Sequence, residues 1–513
     1  MTRLMRSCAR EPLVNGGRDA GTRAMAKTTV VPIKIEASHR STLQEQIYTS
    51  IRCSIVEGLI GADHRLPSTR ALAAELGVSR TTVLSALDHL QAEGYLVTRR
   101  GSGTYIAKQL PDRLPRTPSR PAGTGRHPLL SERGSALAQA RLPDRRSHGP
   151  ARAFRLGTPG LDLFPVRLWS RITRECIRTT TPQHLDYSGP RGLKALREAI
   201  AEQVRLRGTT CEPAQIAVVA GGQRGLDLAF HLLLDAGDSA WMEEPGYTGA
   251  RSALLAAGAN ILPVPVDANG MCFDQTTHNA ENVRLAYVTP SHQFPLGVTM
   301  SLERRHGLLQ WARRSHAWIV EDDYDCEFRY QARPRPCLHA LDPDGRVVYV
   351  GTFSKTLFPA LRLGFLIVPS DLANGFATAR LASDVHPPLL EQAVLAEFML
   401  RGHYQRHLRR MQAAYGERLE TLQSAIHRSG APLKLRPVHS GMHAVADLEG
   451  VDAERVFEEA KARDIEVMPL SHYYFGNGAR ANALLLGFPS MRSAAIREGV
   501  WRLAEAIDAA RRG

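Results

Sequence analysis

A lysine and an arginine close together in the chain are the residues best suited to covalent chemistry. Lys355 follows the apolar run 347–350, which predicts a buried strand, and Arg362 comes seven positions later. An amine among apolar residues and near a second cation loses its proton more readily, which suits it to form a Schiff base with a carbonyl. Nearby hydroxyl groups and the arginine could hold a phosphate by charge-assisted hydrogen bonds. The segment therefore predicts a seat for pyridoxal phosphate, although Lys355 alone is more typical of an ordinary loop residue.

A phosphorylated pyridine aldehyde needs further partners, and each has a candidate near the end of a predicted strand. The segment 220–223 follows a strand and opens a helix, so that backbone N–H groups and the positive end of the helix dipole would meet a phosphate. The acidic run 321–325 follows the strand 318–320, and a carboxylate there could keep the ring nitrogen protonated. Tyr247, in a turn, could stack on the ring. Each signal alone is weak, because glycines in turns, packed tyrosines and acidic loops are common.

Composition describes a globular protein with more than one domain. A chain of 513 residues is too long for one ordinary core. No apolar run reaches the roughly 18 to 20 residues that cross a bilayer, and residues 1–27 lack the apolar core of a secretory signal. The seven cysteines show no CxxC pairing. They indicate reduced thiols in a cytoplasmic protein, and they indicate neither a zinc site nor a disulfide framework. The lack of a long apolar run predicts that the protein has no membrane partner.

Positive charge is concentrated in the first part of the chain. Residues 1–150 contain 23 Lys and Arg against 12 Asp and Glu, a net charge of +11, whereas the whole chain carries +14. The remaining residues therefore carry only +3. This asymmetry favours an anionic partner for the first part, most simply nucleic acid, although a solvated basic tail would give the same count.

The basic part contains the pattern of a winged helix-turn-helix. Apolar residues recur every four positions over 43–55, and Ser68 and Gly77 can begin and end a second helix. Ser79 can begin a third helix after a three-residue turn, which makes a helix-turn-helix. The segment 94–106 predicts a β-hairpin, the wing. The start of the third helix, Ser79, Arg80, Thr81 and Thr82, is polar and cationic, as base edges and phosphates in a major groove require.

Residues 40–107 resemble the GntR-type winged-helix domain. The resemblance rests on the segments 66–70, 77–83 and 101–105, which match the pattern of that family. It implies that Arg70, Arg80 and the wing contact double-stranded DNA. The wing candidates are Arg99, Arg100 and Gly101.

Four segments are predicted along the chain. They are a disordered extension at 1–39, the DNA-binding domain at 40–107, a Pro/Arg-rich linker at 108–152, and an α/β domain at 153–513. The linker contains seven prolines and no hydrophobic periodicity. In the last segment, short apolar strands alternate with amphipathic helices, a pattern typical of α/β folds.

Residues 154–510 resemble the fold-type I aminotransferases that depend on pyridoxal phosphate, and the order of the domains resembles the MocR/GabR family of transcriptional regulators. This resemblance implies two domains, a small α/β winged helix-turn-helix and a large α/β aminotransferase-like domain with a mostly parallel sheet. The motifs that carry it are the segments 187–197, 243–247, 289–297, 321–330, 351–362 and 484–488.

The resemblance also implies a role for each candidate cofactor residue. Lys355 looks like the lysine that forms the Schiff base, and Asp322 like the partner of the pyridine nitrogen. Tyr324 would bind the 3-hydroxyl group, and Tyr247 would stack on the ring. The phosphate would be held by Arg362, Thr352, Gly222 and Gln223, and by Tyr187 of the other subunit in a head-to-tail homodimer.

Two positions depart from the ordinary aminotransferase pattern. Phe294 stands where an aminotransferase carries the asparagine that binds the 3-hydroxyl group, a feature that regulators of this family share. Near the segment 470–474, His472 stands where some relatives have arginine, with Arg480 the nearest alternative. Either is a candidate for the carboxylate of an effector, although a histidine clamps a carboxylate less well than an arginine. His472 is also typical of a plain loop residue.

Three functions compete. The first is a DNA-binding regulator that senses an amine, an amino acid or pyridoxal phosphate itself through Lys355. The second is an active aminotransferase with an accessory DNA-binding domain. The third is a repressor whose large domain has lost its cofactor. The intact candidate set counts against the third function, and the two departures favour the first over the second.

Overall fold

The computed structural model describes residues 33, 41–99, 101–111, 130–138, 152–273, 282–330, 335–476 and 480–512. The chain forms two compact units, residues 1–127 and 128–513. The predicted extension at 1–39 lies outside the described residues except for Ile33, which packs against the core of the first unit. The predicted linker is described only at 108–111, 130–138 and 152.

The first unit is a winged helix-turn-helix, as predicted. Ser68 and Ser79 cap the second and third helices by accepting backbone N–H groups of Ala71 and Thr82. Gly77 ends the second helix in the left-handed conformation, with φ 65°. Two short antiparallel strands form the wing. The elements are α1 Leu43–Val56, α2 Thr69–Leu76, α3 Arg80–Ala92, β1 Leu96–Arg99 and β2 Gly103–Ile106.

The second unit is built on an eight-stranded, mostly parallel sheet, also as predicted. Its strand order is β3-β10-β9-β8-β7-β4-β5-β6, and within it only β10 and β6 run against the others. The strands are β3 Ile216–Val219, β4 Ser239–Glu244, β5 Asn260–Asp267, β6 Gly270–Met271, β7 Val283–Val288, β8 Trp318–Asp323, β9 Val347–Thr352 and β10 Gly364–Ile367.

Helices cover both faces of this sheet, which explains why its strands are apolar at successive positions. Leu285 and Tyr287 of β7 pack on one face with Phe230, whereas Ala286 and Val288 pack on the other with Leu308. The helices of the unit are α4 Glu132–Ala138, α5 Val166–Arg178, α6 Lys194–Arg205, α7 Gly222–Leu233, α8 Thr248–Ala257, α9 Leu302–Arg314, α10 Leu338–Leu341, α11 Ala373–Ser383, α12 Leu389–Leu400, α13 His403–Ser429, α14 Ala453–Ala462 and α15 Ser493–Arg512.

A second, smaller sheet lies in the last part of the chain and was not predicted. It is antiparallel, in the order β11-β12-β14-β13. Its strands are β11 Leu433–Leu435, β12 His443–Leu448, β13 Met468–Pro469 and β14 Ala483–Gly487. The helix α4, which falls within the predicted linker, lies alongside α8. Within the described ranges, no helix is long and apolar enough to cross a membrane.

Candidate cofactor site and nucleic-acid interface

Lys355 lies in the loop that joins β9 to its antiparallel neighbour β10, at one end of the main sheet. Its Nζ donates a hydrogen bond to the carbonyl oxygen of Gly157 at 2.8 Å. Gly157 has φ 67°, and a Cβ added there would lie 2.6 Å from Nζ. The positive φ favours glycine at this position, and a Cβ there would displace the lysine amine from its present place. Gly157 was not predicted from the sequence, because nothing local connects two residues 198 positions apart.

Arg362 and Thr352 meet the start of helix α7, as the phosphate-binding prediction requires. The Nη2 of Arg362 donates to the carbonyl oxygen of Ala220 at 3.1 Å, and a Cβ on Gly221 would lie 3.3 Å from the guanidinium carbon. The side chain of Thr352 lies 3.5 Å from where a Cβ of Gly222 would be. Gly221 begins the helix without a side-chain cap. Backbone N–H groups, a hydroxyl and a guanidinium thus converge in a cradle with the donors that a phosphate requires.

Tyr247 and Gln223 contact each other beside this cradle. The hydroxyl of Tyr247 donates to Oε1 of Gln223 at 3.2 Å. The Nε2 of Gln223 donates to the carbonyl oxygen of Gly249 at 2.7 Å, so that its amide holds the first turn of α8. Tyr247 is the residue from which α8 begins. The ring of Phe294 packs edge-on against that of Tyr247, with 5.9 Å between the ring centroids.

Asp322 lies at the end of β8 and is only 8% exposed. The hydroxyl of Tyr287, on the neighbouring strand β7, donates to its Oδ2 at 2.9 Å. Burial raises the pKa of Asp322 to about 7, while the hydrogen bond from Tyr287 and the charge of Lys355 act to lower it. A nearby cation would lower the pKa of Asp322 again and leave its carboxyl group as an anion. An anionic carboxylate is the partner that a protonated ring nitrogen requires. Tyr287 was not predicted, because it lies 35 positions before Asp322 and only the pairing of β7 with β8 brings the two together.

Tyr324 contacts a buried histidine–aspartate pair that sequence analysis also missed. Its hydroxyl lies 3.0 Å from Nδ1 of His292, and the same nitrogen lies 3.1 Å from the carboxylate of Asp325. His292 and Asp325 are both buried. Phe294 packs edge-on against Tyr324 as well, with 6.1 Å between the ring centroids. The ring that replaces the usual asparagine therefore touches both tyrosines of the candidate site.

Two further buried carboxyl groups lie on β4 and β8, the strands on either side of β7. Burial raises the pKa of Glu243 to about 7, although Glu243 accepts a hydrogen bond from the hydroxyl of Thr289 at 2.6 Å. Burial also raises the pKa of Glu321 to about 7, and its oxygens accept the N–H groups of Leu338 and His339. Together with Asp322, three carboxyl groups of this region have pKa values that burial raises to about 7.

Three candidates lie away from these contacts. Tyr187 is 82% exposed, and its ring packs edge-on against His386 at 6.2 Å. The Nε2 of His472 lies 2.9 Å from the carboxylate of Glu454. Arg480 is exposed. It remains a prediction that Tyr187 binds the cofactor phosphate of the other subunit in a dimer. It also remains a prediction that His472 or Arg480 binds the carboxylate of an effector.

The candidate DNA-binding residues lie on the surface of the winged-helix unit. Arg70, Arg80, Arg99 and Gly101 are exposed, as are Ser79 and Thr81, whereas Thr82 is half-buried and Arg100 lies outside the described residues. Arg80 donates its Nε–H to the hydroxyl of Thr69 at 3.3 Å.

One wing arginine has an intramolecular partner. Arg99 forms an ion pair with Asp63, and its guanidinium lies over the ring of Tyr105 at 4.4 Å from the centroid. Arg99 lowers the pKa of Asp63. DNA phosphates would therefore compete with Asp63 for this arginine.

Two family patterns match the chain. The family described as bacterial regulatory proteins, gntR family, matches residues 43–106, and the family described as aminotransferase class I and II matches residues 166–502. These spans correspond to the winged-helix unit and to most of the second unit.

Individual proteins with both parts, or with the second alone, are similar to this chain. The probable rhizopine catabolism regulatory protein MocR of Rhizobium meliloti is 41% identical over 91% of this chain and 94% of that protein. The pyridoxine biosynthesis transcriptional regulator PdxR of Corynebacterium glutamicum is 32% identical over 93% of this chain and 98% of that protein. The alpha-aminoadipate aminotransferase LysN of Thermus thermophilus, solved with N-(5'-phosphopyridoxyl)-L-leucine, is similar with a TM-score of 0.64 and 28% identity over 69% of this chain and 92% of that chain.

Proposed function

Because this chain belongs to the MocR/GabR-type family of regulators, in which a GntR winged helix-turn-helix precedes an aminotransferase class I and II domain, we propose that it senses a small amine or amino acid through Lys355 and adjusts its binding to DNA accordingly. The chain is a DNA-binding regulator with an aminotransferase-like domain. Its cofactor is pyridoxal phosphate. The effector and the sensing step are the proposed parts.

The observation that carries the proposal is the cradle beside Lys355. Arg362, Thr352 and the uncapped start of α7 offer their donors together, and the Lys355 amine lies at the Gly157 carbonyl. When bound, pyridoxal phosphate supplies an aldehyde that condenses reversibly with primary amines. The protein residues would orient it: Arg362, Thr352 and the start of α7 would hold the phosphate, and Asp322, positioned by Tyr287, would keep a proton at the ring nitrogen.

Sensing is favoured over turnover by the residues around Phe294. Its ring packs edge-on against Tyr247, Tyr324 and Tyr473, so an apolar group stands where the usual asparagine would donate a hydrogen bond. His472 is paired with Glu454, which leaves it a weak clamp for a substrate carboxylate. An active aminotransferase is the second candidate, and the intact set of Lys355, Asp322 and Tyr324 favours it.

The helix α4, near the start of the second unit, contacts the helix that begins at Tyr247. The helix α8 begins at Tyr247, the proposed stacking residue, and α4 lies alongside α8. Binding of an effector beside Lys355 would change the contacts of Tyr247, and α8 would pass that change to α4. Such a switch requires that the effector contact the two states differently.

The proposed form of the regulator is a head-to-tail homodimer that binds two half-sites on double-stranded DNA. Affinity should fall steeply with salt, because the exposed arginines of the winged helix would contact phosphates. The described cysteines are free thiols, which is compatible with a reducing compartment and with action in the cytoplasm.

A spectral titration tests the proposal. The purified protein should show visible absorbance from the Schiff base, Lys355→Ala should lose it, and Lys434→Ala, an exposed lysine on β11, should keep it. Amines and amino acids that change the spectrum should then change DNA affinity in a gel-shift assay. Retained absorbance in Lys355→Ala refutes the role of this lysine. Steady turnover with an amino donor and a keto acid at an ordinary enzyme rate favours the aminotransferase instead.

A further inference from the structure

A cavity of about 620 Å³ lies in the second unit, apart from the cradle of Arg362 and α7. Its walls are the loop 291–299 after β7, the stretch before β12 at 436–440, and the end of β5. Small-molecule sites in proteins commonly have volumes of roughly 300 to 1,000 Å³. The cavity is therefore large enough for a small organic molecule.

The charged groups of the cavity are mostly positive. Arg329, Arg335 and Arg436 line it together with a single carboxylate, Asp267. Asp267 is already paired with Arg304, whose Nη2 lies 3.2 Å from its Oδ2. The cavity thus has an excess of positive charge.

Two of the three arginines are not neutralised. Arg436 forms an ion pair with Asp447 at 2.7 Å. Arg329 donates its Nε–H to the carbonyl oxygen of Cys326, and Arg335 donates an Nη1–H to that of Met300. Neither of the two has a carboxylate partner among the residues that the structure describes. Arg329 is half-buried and Arg335 is exposed, and two guanidinium groups without a carboxylate partner that line one cavity favour an anionic ligand.

A buried hydroxyl gives a second, independent indication of a ligand. Ser440 lines the cavity and is 6% exposed, and its Oγ has no hydrogen-bond partner in the described ranges. Leaving a buried polar group without a partner costs roughly 1 to 3 kcal/mol. Rotation of the Ser440 side chain toward the cavity would let a bound anion accept its hydrogen bond and would remove that cost.

We propose that this cavity binds a small organic anion, through a carboxylate or a phosphate group held by Arg329, Arg335 and Ser440. The site goes beyond the proposed function, because it neither contains Lys355 nor depends on the cofactor. One side of it adjoins His292: Ser291 lines the cavity and precedes that histidine, and a Cβ on Gly297, also in the lining, would lie 3.3 Å from its Nε2. His292 in turn contacts Tyr324.

Isothermal titration of the full-length, cofactor-loaded protein tests the proposal. The probes are inorganic phosphate and glutarate, with the neutral diamide of glutarate as a blank. We expect at least one anion to bind and the diamide not to bind. In this protein the cofactor occupies the phosphate site around Arg362, so the added anions cannot bind there and contribute to the measured heat. Repeating the titration without cofactor shows whether the anion still binds when the cofactor site at Lys355 is empty. This result separates a failure of the anion site from a failure of the proposed sensing function.

Substitutions assign the binding to the cavity. Arg329→Gln and Arg335→Gln should each weaken the anion about tenfold or more, the loss expected for one charge-assisted hydrogen bond. Arg497→Gln, an exposed arginine on α15, should leave the affinity unchanged. Ser440→Ala should weaken binding without lowering the melting temperature of the ligand-free protein, since the lost hydroxyl has no described partner.

Each result of the titrations either supports or overturns the proposed anion site. Binding of phosphate alone assigns a phosphate ligand, binding of glutarate alone assigns a carboxylate ligand, and both support the proposal. It is overturned if neither anion binds at about 10 mM, or if both arginine variants bind as tightly as the unchanged protein.

Discussion

Replacing Asp322 by asparagine should make the second unit less sensitive to pH. Burial raises the pKa of this carboxyl group from 3.8 to about 7. In the cofactor-free protein, Asp322 binds its proton more tightly in the folded chain than in the unfolded chain. Raising the pH through about 7 therefore lowers the free energy of unfolding, and the stabilisation is complete only at pH values below the unfolded pKa.

The size of the effect follows from the shift. Between pH 6 and pH 8 the folded carboxyl loses nearly its whole proton while the unfolded one is already ionised. The unfolding free energy therefore falls by about 1 kcal/mol over this range on account of Asp322 alone. Glu243 and Glu321, with pKa values of about 7, act in the same direction and with similar magnitudes, for a total of roughly 3 to 4 kcal/mol. The Asp322→Asn protein should lose about one third of this dependence.

Urea unfolding followed by tryptophan fluorescence measures this quantity in the right part of the molecule. All five tryptophans lie in the unit 128–513, so the winged helix contributes no signal. Asp508→Asn, an exposed aspartate on α15, serves as the matched control and should keep the full dependence. If Asp322→Asn changes as much between pH 6 and pH 8 as the unchanged protein, Asp322 is not a buried group that titrates near neutrality, and the reasoning fails.

Three further predictions concern single contacts. Arg362→Gln should weaken cofactor affinity about ten- to a hundredfold in a fluorescence titration, because it removes a charge-assisted hydrogen bond to the phosphate; unchanged affinity would place the phosphate elsewhere. Gly441→Ala should cost at least about 2 kcal/mol more unfolding free energy than Gly430→Ala. Both glycines have positive φ, but only at Gly441 would a Cβ overlap the ring of His292. If the two substitutions lowered the unfolding free energy equally, that clash would be contradicted. Ile51→Ala should lower the stability of the winged-helix unit by about 2 to 4 kcal/mol by circular dichroism, because Ile51 is fully buried there; a loss under about 1 kcal/mol would mean that the core refills the space.

Local patterns in the sequence were enough to predict the winged helix. Capping serines, a helix-ending glycine and a hairpin are decided by residues within a few positions of one another, and Ser68, Gly77 and Ser79 behave as expected. The apolar strands of the main sheet could also be recognised from a local pattern. Helices bury both faces of this sheet, so its strands are apolar at successive positions.

The contacts of the candidate site were harder to predict, because they join distant parts of the chain. Gly157 and Lys355 are brought together by the whole fold, and so are Tyr287 and Asp322, on neighbouring strands. His292 carries no local signal, as its partner Asp325 lies 33 positions away. The small antiparallel sheet was missed because its strands are short and two of them have only two or three residues.

The loop between β9 and β10 limits how this protein can diversify. Its two ends are fixed by the sheet, where Thr352 pairs with Gly364, and within that span it carries both Lys355 and Arg362. Adding or deleting one residue would move the amine relative to the guanidinium while the strands stayed in place. A change of loop length would therefore disturb both groups that the proposed cofactor site uses, whereas a substitution on another loop would leave their spacing of seven residues unchanged.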